Sequence, residues 1–199
     1  MIDTHCHLCD KRFDKDRVHV LDRARHAGVT HVVEIAYGPG IWERAFALSA
    51  EHANVFLCVG VHPSESGKVP MDALAALRDH ARHPRVVAIG ETGLDFYRDT
   101  APEADQRRAF AAHIELARDT GKPLVIHSRA ADRETLAQLD AEAAGVSVKE
   151  GAGVVGIKAS GFGVDWHGVE GGPAKRGEGE GESFRRTHGG FVDRKTPAR

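Results

Sequence analysis

The regular alternation of short apolar segments with longer amphipathic segments is the feature that most constrains the fold of this chain. Apolar runs of strand length predict β-strands, and apolar residues spaced three and four apart predict helices. The predicted strands are 2–8, 29–36, 55–61, 86–90 and 124–127. The predicted helices are 15–27, 41–53, 72–82, 103–120 and 132–144. This spacing indicates parallel strands joined by helical crossovers.

Two α/β architectures fit the five strand–helix units. An open doubly wound sheet and a (β/α)8 TIM barrel both consist of parallel strands with helical crossovers. The dinucleotide-binding form of the open sheet is disfavoured, because no Gly-x-Gly-x-x-Gly turn follows the first predicted strand. A complete barrel needs eight units and ~250 residues, so the sequence accounts for only part of one.

Glycine content divides the chain into two regions. Residues 1–150 contain 9 of the 22 glycines, and residues 151–199 contain the other 13. A stretch with few large apolar groups cannot offset the entropy lost on ordering. We therefore predict a partial (β/α) barrel over 1–144 and an atypical, glycine-rich, disordered tail over 145–199, with disorder indicated most directly for 168–199.

Composition and charge exclude several classes of protein. No apolar run approaches the ~18 residues of a spanning helix, and the first residues lack the basic and apolar segments of a signal peptide. Three cysteines are too few for a disulfide framework and fit a reducing compartment. The formal net charge of −2 gives no broad basic face. We expect a cytoplasmic protein without a membrane or an obligate protein partner.

His5 and His7 lie two residues apart on the first predicted strand. Alternate side chains of a strand face the same way, so the two imidazoles project together and Cys6 faces away. Two adjacent imidazoles make half of a site for a divalent transition metal, and Asp3 on the same face can orient one of them. A hydrogen-bonded pair of histidines at a strand end is the alternative.

Three more polar residues follow apolar strands. His62, Glu91 and His127 all stand at the carboxyl ends of predicted parallel strands. In a parallel α/β fold these ends form one rim, where functional sites are built. Each residue alone has a simpler explanation, such as a turn before Pro63 for His62, but their shared position favours one site.

Together these residues have the chemistry of a binuclear metal site. The two carboxylate oxygens of Glu91 can bridge two cations, and the histidines supply neutral nitrogen ligands. Two divalent ions ~3.5–4 Å apart polarise a phosphoryl oxygen and lower the pKa of a shared water. Zinc, manganese and magnesium all remain open. Arg129 can hold a phosphate through a bidentate pair of hydrogen bonds.

Other features of the sequence carry less chemistry. The pair Cys6 and Cys9 has the spacing of a zinc or redox motif but no second pair accompanies it. The loop at 95–99 is expected to consist mainly of turn or surface residues. Seven other histidines are expected to be structural or solvated: His19, His26, His31, His52, His80, His83 and His113.

Four sequence blocks, in their order and spacing, resemble the TatD family of metal-dependent hydrolases. They are 1–8 (MIDTHCHL), 59–63 (VGVHP), 87–97 (VAIGETGLDFY) and 122–129 (KPLVIHSR). The resemblance covers 1–140 and implies a (β/α)8 barrel, deoxyribonuclease or related phosphoesterase activity on DNA, and a monomer. It also implies that His5 and His7 bind one of two divalent metal ions, that Glu91 bridges them as the catalytic carboxylate, and that His127 binds the second. His62 and Arg129 would line the phosphate pocket.

The resemblance ends near 144. Family members continue with a His-Cys-Phe-Ser/Thr-Gly block and a Glu-Thr-Asp-Ser/Ala-Pro block, which supply a further histidine and an aspartate to the metals, and neither block occurs here. We therefore expect a truncated or frameshifted C-terminal part and impaired activity. The alternatives are a non-enzymatic fragment with a residual metal half-site, and a metal-dependent hydrolase of another ester or amide.

Overall fold

A computed structural model describes residues 1–143 and two further strands. The strands are β1 (Ile2–Cys6), β2 (His31–Ala36), β3 (Val55–Val59), β4 (Val86–Asp95), β5 (Leu124–Arg129), β6 (Val146–Gly151) and β7 (Val154–Ala159). The α-helices are α1 (Arg17–His26), α2 (Pro39–Glu51), α3 (Met71–Ala81), α4 (Glu103–Thr120) and α5 (Asp132–Glu142). Short 3-10 helices occupy Lys11–Phe13 and Pro63–Lys68.

The first five strands form a parallel sheet in their order along the chain. Each of β2 to β5 pairs in parallel with the strand before it. The order never reverses over these strands, whereas a doubly wound sheet has a reversal where its ligands bind. The prediction of five parallel units from an incomplete (β/α)8 barrel is therefore confirmed.

Beyond β5 the sheet continues with a different pairing. β7 pairs antiparallel with β5, and β6 pairs antiparallel with β7 at the edge. These two strands fall in the region for which composition predicts a disordered tail. The division at 144 stays a prediction, and the predicted disorder at 168–199 lies outside the described residues.

The two faces of the sheet have different partners. The large apolar core lies between the sheet and the helices and includes Phe110 and Ile114 of α4. On the opposite face, called the inner face below, a smaller apolar row contains Ile35, Cys58 and Ala88 with Val125 packed against it. Side chains two residues apart share a face, so His127 stands on the inner face, beyond Val125 toward the end of β5. The apolar row thus forms a floor beneath the polar ends of the strands.

Glycines allow β4 and β5 to approach closely at the site. Gly90 and Gly93 have φ angles of +139° and +129°, which side chains rarely adopt. A Cβ atom on Gly90 would lie 2.3 Å from the carbonyl oxygen of Val125, and one on Gly93 would lie 2.2 Å from that of His127. Both positions therefore need glycine, and the backbone on either side of Glu91 is fixed against β5.

Among the described residues, no helix combines the length and the hydropathy that are required to cross a lipid bilayer.

His113 is a structural histidine, as the sequence predicts for histidines inside helices. It is fully buried on α4, where its Nε2 accepts a hydrogen bond from the Val61 N–H (2.9 Å) and its Nδ1 lies 2.6 Å from the Ala109 carbonyl oxygen. This pattern requires the neutral ring, with the proton on Nδ1. Burial lowers the pKa of His113 to about 4.

The His113 ring should make the fold sensitive to acid. Its folded-state pKa lies below the unfolded value of 6.5, so the unfolded state takes up a proton first and stability falls as pH drops from 6.5 toward 4. We expect this group to remove about 2 kcal/mol between pH 7 and pH 5. The variant His113→Gln, which keeps an acceptor for Val61, should lose less stability over this range in urea unfolding. An equal loss in both proteins would contradict the assignment.

Candidate metal centre

The predicted site residues of four strands meet at the carboxyl end of the sheet. Glu91 lies at the centre, where it is 5% exposed. Its Oε2 is 3.6 Å from the Nε2 of His5, and its Oε1 is 3.2 Å from the Nδ1 of His127. The ring of His62 lies 4.4 Å from that of His127, measured between centroids. The structure therefore places these side chains next to one another at one rim of the sheet.

Potential ligand atoms in the described part of the chain form two groups of three. One group contains His5, His7 and Glu91, and the other contains His62, Glu91 and His127; within each group the ligand atoms lie within 4.8 Å of one another. Glu91 belongs to both groups and has one carboxylate oxygen directed to each side. This arrangement is what a bridging carboxylate between two cations requires.

The first group fits a divalent cation by its chemistry. The Nε2 atoms of His5 and His7 are only 3.3 Å apart and share this space with a carboxylate oxygen. Burial lowers the pKa of His5, with the charge of Glu91 acting in the opposite direction. A neutral imidazole is the form that binds metal. Two facing ring nitrogens and a carboxylate oxygen are therefore a donor set that zinc or manganese accepts.

Glu34 of β2 holds the chain in place directly after His7. Its carboxylate is 1% exposed and accepts hydrogen bonds from the backbone N–H of Leu8 (2.5 Å) and of Cys9 (3.0 Å). The thiol of Cys6 lies 3.8 Å from the same carboxylate and 3.3 Å from the Val33 carbonyl oxygen. Glu34 was not predicted from the sequence, although a carboxylate within a β-branched apolar strand was a usable signal.

Histidines of both groups keep Glu91 ionised. Burial raises the pKa of Glu91, but the hydrogen bond with His127 and the charges of His5 and His62 outweigh it and lower the pKa. A carboxylate is therefore retained at this buried position, between the two groups of potential ligands.

Asp95 is the exception in the loop at 95–99, where Tyr97, Arg98 and Asp99 are exposed as the sequence predicts. It is 1% exposed, and its Oδ2 lies 3.1 Å from the Nε2 of His127. Its Oδ1 accepts the backbone N–H groups of Tyr97 (3.1 Å) and Arg98 (2.9 Å). The sequence places the end of this strand at Gly90, whereas β4 continues to Asp95 and reaches β5 there.

His127 is thus held between two carboxylates, Glu91 and Asp95. A metal-binding histidine commonly has its second ring nitrogen fixed by a carboxylate, which sets the tautomer and the ring orientation. Asp95 also remains ionised. Burial raises its pKa, but the hydrogen bonds from the Arg98 backbone N–H and the His127 ring outweigh burial, so the pKa lies below the ordinary value. The signal for Asp95 was the same as that for Glu91, an acid that ends an apolar segment.

His62 and Arg129 are the two predicted phosphate-pocket residues, and the structure places them differently. His62 is 9% exposed; its Nδ1 accepts the Ser64 N–H, and burial together with His127 lowers its pKa to about 4. It therefore stands within the second potential ligand group. The guanidinium of Arg129 lies 4.1 Å from the centroid of the Tyr97 ring and belongs to neither group.

The sequence profile of a family described as TatD related DNase matches residues 2–154. The chain belongs to this family. That assignment agrees with the shared-carboxylate geometry, because the relatives include proteins named as metal-dependent hydrolases and as nucleases.

Relatives of known name and structure match the same part of the chain. An uncharacterized metal-dependent hydrolase TatD of Mycobacterium tuberculosis is 43% identical over 152 residues, which are 72% of this chain and 57% of the relative. A 3'-5' ssDNA/RNA exonuclease TatD of Musicola paradisiaca is 39% identical, over 66% of this chain and 50% of the relative. The crystal structure of YJJV, a TatD homolog of Escherichia coli, aligns with a TM-score of 0.67 at 29% identity, over 71% of this chain and 56% of that one. The chain thus spans about half the length of these relatives.

Replacing Asp95 should weaken metal binding without removing a ligand. The variant Asp95→Asn keeps the size of the side chain but removes the charge that orients His127, so divalent affinity should fall about 10- to 100-fold. Titration calorimetry with Mn²⁺ measures the change. Asp99→Asn, an exposed acid in the same loop, is the matched control. Equal affinities for Asp95→Asn and the parent chain would show that Asp95 does not position the ligand.

Proposed function

We propose that this chain is a metal-dependent phosphodiesterase that acts on DNA and holds two divalent ions on either side of Glu91. The observation that carries the proposal is the shared carboxylate, with one oxygen 3.6 Å from His5 and the other 3.2 Å from His127. The names of relatives as nucleases support a nucleic-acid substrate. The ions are zinc, manganese or magnesium.

Each side chain of the site has a separate task in this proposal. His5 and His7 hold one ion and His127 the other, with His62 at the second ion or beside the phosphate. Ions bound there would lower the pKa of a water and neutralise the charge that develops on the phosphoryl group. Glu91 keeps both ions in one place because it stays ionised in a buried position.

Arg129 carries a positive charge that no acidic group of the described residues neutralises. Its guanidinium has no hydrogen-bond acceptor or ion-pair partner within residues 1–143 and contacts only the Tyr97 ring through its charge. A free guanidinium beside a metal pair can bind a phosphate oxygen of the substrate. A phosphate can therefore be attracted locally although the formal net charge of the chain is −2.

Binding of metal without turnover is the competing candidate. It is favoured by the sequence, which lacks the two family blocks that bring a further histidine and an aspartate to the ions. Under this alternative the chain binds metal at Glu91 but cleaves no phosphodiester.

The proposal includes a cytoplasmic location. Cys6, Cys9 and Cys58 are free thiols, and the last two are buried. Unpaired cysteines are typical of a reducing compartment.

Cleavage by the purified chain tests the proposal. We expect a labelled single-stranded oligonucleotide to be cleaved in Mn²⁺ or Mg²⁺, with turnover below that of longer relatives, and EDTA to abolish cleavage. Glu91→Gln should lower the rate by at least about 100-fold, because both ligand groups lose their shared charge. Glu43→Gln, on the exposed side of α2, should have no effect. Metal binding that Glu91→Gln removes, without any cleavage by the parent chain, would favour the competing candidate.

A further inference from the structure

Tyr97 is a large side chain left in solvent at the rim of the site. It is 68% exposed, and only Met1 among the large apolar residues of the described part is more exposed. A single exposed aromatic residue is common on protein surfaces and indicates no function by itself. Its surroundings are what distinguish this one.

The ring of Tyr97 is held in a defined position. One face lies over the guanidinium of Arg129, 4.1 Å from the ring centroid, which is the geometry of a cation–π contact. The backbone N–H of Tyr97 donates to Asp95, the same carboxylate that contacts His127. The residue that orients a potential metal ligand therefore also positions the aromatic ring.

The strand register places the pair next to the metal groups. Arg129 is opposite Asp95 in the pairing of β4 with β5. It follows His127 by two residues on the same strand, so both side chains lie on the inner face, with backbones ~6–7 Å apart.

Two arginines near Tyr97 have side chains without an acceptor. Within residues 1–143, the side chains of Arg98 and Arg129 have no hydrogen-bond acceptor, whereas each other arginine donates to a carboxylate or a backbone carbonyl. One free guanidinium, that of Arg129, therefore lies against the exposed ring, and a second belongs to Arg98, the next residue in the sequence. Proteins that bind single strands use this combination, with aromatic rings for the bases and cations for the backbone.

We infer that the ring of Tyr97 is a stacking platform for one base of a single-stranded nucleic acid, with Arg129 and Arg98 contacting the adjacent phosphates. This inference rests on the proposed function and adds a base-binding position to it. A duplex keeps its bases stacked on one another, so the ring favours unpaired strands and ends. Stacking on a ring is tolerant of sequence, because every base has a π-face.

Binding to two probes separates stacking from charge. One probe is a fluorescein-labelled oligothymidylate with phosphorothioate linkages; the other is an abasic strand of the same length and linkage. Fluorescence anisotropy in Mg²⁺ is measured for the parent chain, Tyr97→Ala and Tyr97→Phe. We expect Tyr97→Ala to weaken oligothymidylate binding about 5- to 100-fold and abasic binding less than about twofold. Tyr97→Phe, which keeps the ring, should bind both probes like the parent chain.

Val18→Ala is the control for loss of an exposed apolar side chain, since Val18 is 54% exposed on α1, and it should change neither affinity. Circular dichroism verifies that each variant is folded.

Equal weakening of the binding of both probes by Tyr97→Ala would overturn the inference, because the ring would then act only by positioning Arg129. Unchanged binding of both probes would overturn it as well. In either case the proposed function survives if the parent chain binds and cleaves DNA. A parent chain that binds neither probe would contradict the nucleic-acid substrate, and the inference with it.

Discussion

The carboxylate of Glu91, buried between histidines of three other strands, is the interaction on which the rest of the site depends. A buried charge is costly unless neighbouring groups stabilise it. Here the hydrogen bond with His127 and the charges of His5 and His62 keep its pKa below the ordinary value despite burial. The same neighbours are the groups that can complete two metal sites. One set of side chains therefore both stabilises the Glu91 carboxylate and offers ligands to metal ions.

Two further buried carboxylates support the histidines on either side of Glu91. Glu34 of β2 holds the backbone that follows His7, and Asp95 of β4 contacts the ring of His127. Each acid lies on the strand next to the histidine that it positions, so the parallel order of the sheet makes the arrangement possible. Asp95 also accepts a hydrogen bond from the Tyr97 N–H. It therefore connects the potential ligand His127 with the exposed ring of Tyr97.

Much of this arrangement was predictable from the sequence. The five units were recognised because apolar residues repeat with strand and helix periods. His5 and His7 were recognised because alternate residues of a strand share a face, and His62, Glu91 and His127 because they follow apolar strands. Asp95 and Glu34 were missed for physical reasons. The register of β4 and β5 shifts between Gly90 and Thr92, and a glycine there is read as a strand end, whereas the backbone continues. Glu34 is recognisable as a carboxylate within an apolar strand, but the backbone groups that it holds are distant in sequence, so no local pattern shows its role.

The most direct measurement of the central claim is anomalous diffraction from a crystal of the chain soaked in Mn²⁺. The proposal predicts two manganese peaks ~3.5–4 Å apart. One peak should lie among His5, His7 and Glu91, and the other between Glu91 and His127. Manganese that binds without contacting Glu91, or a single ion on one side of this carboxylate, would contradict it.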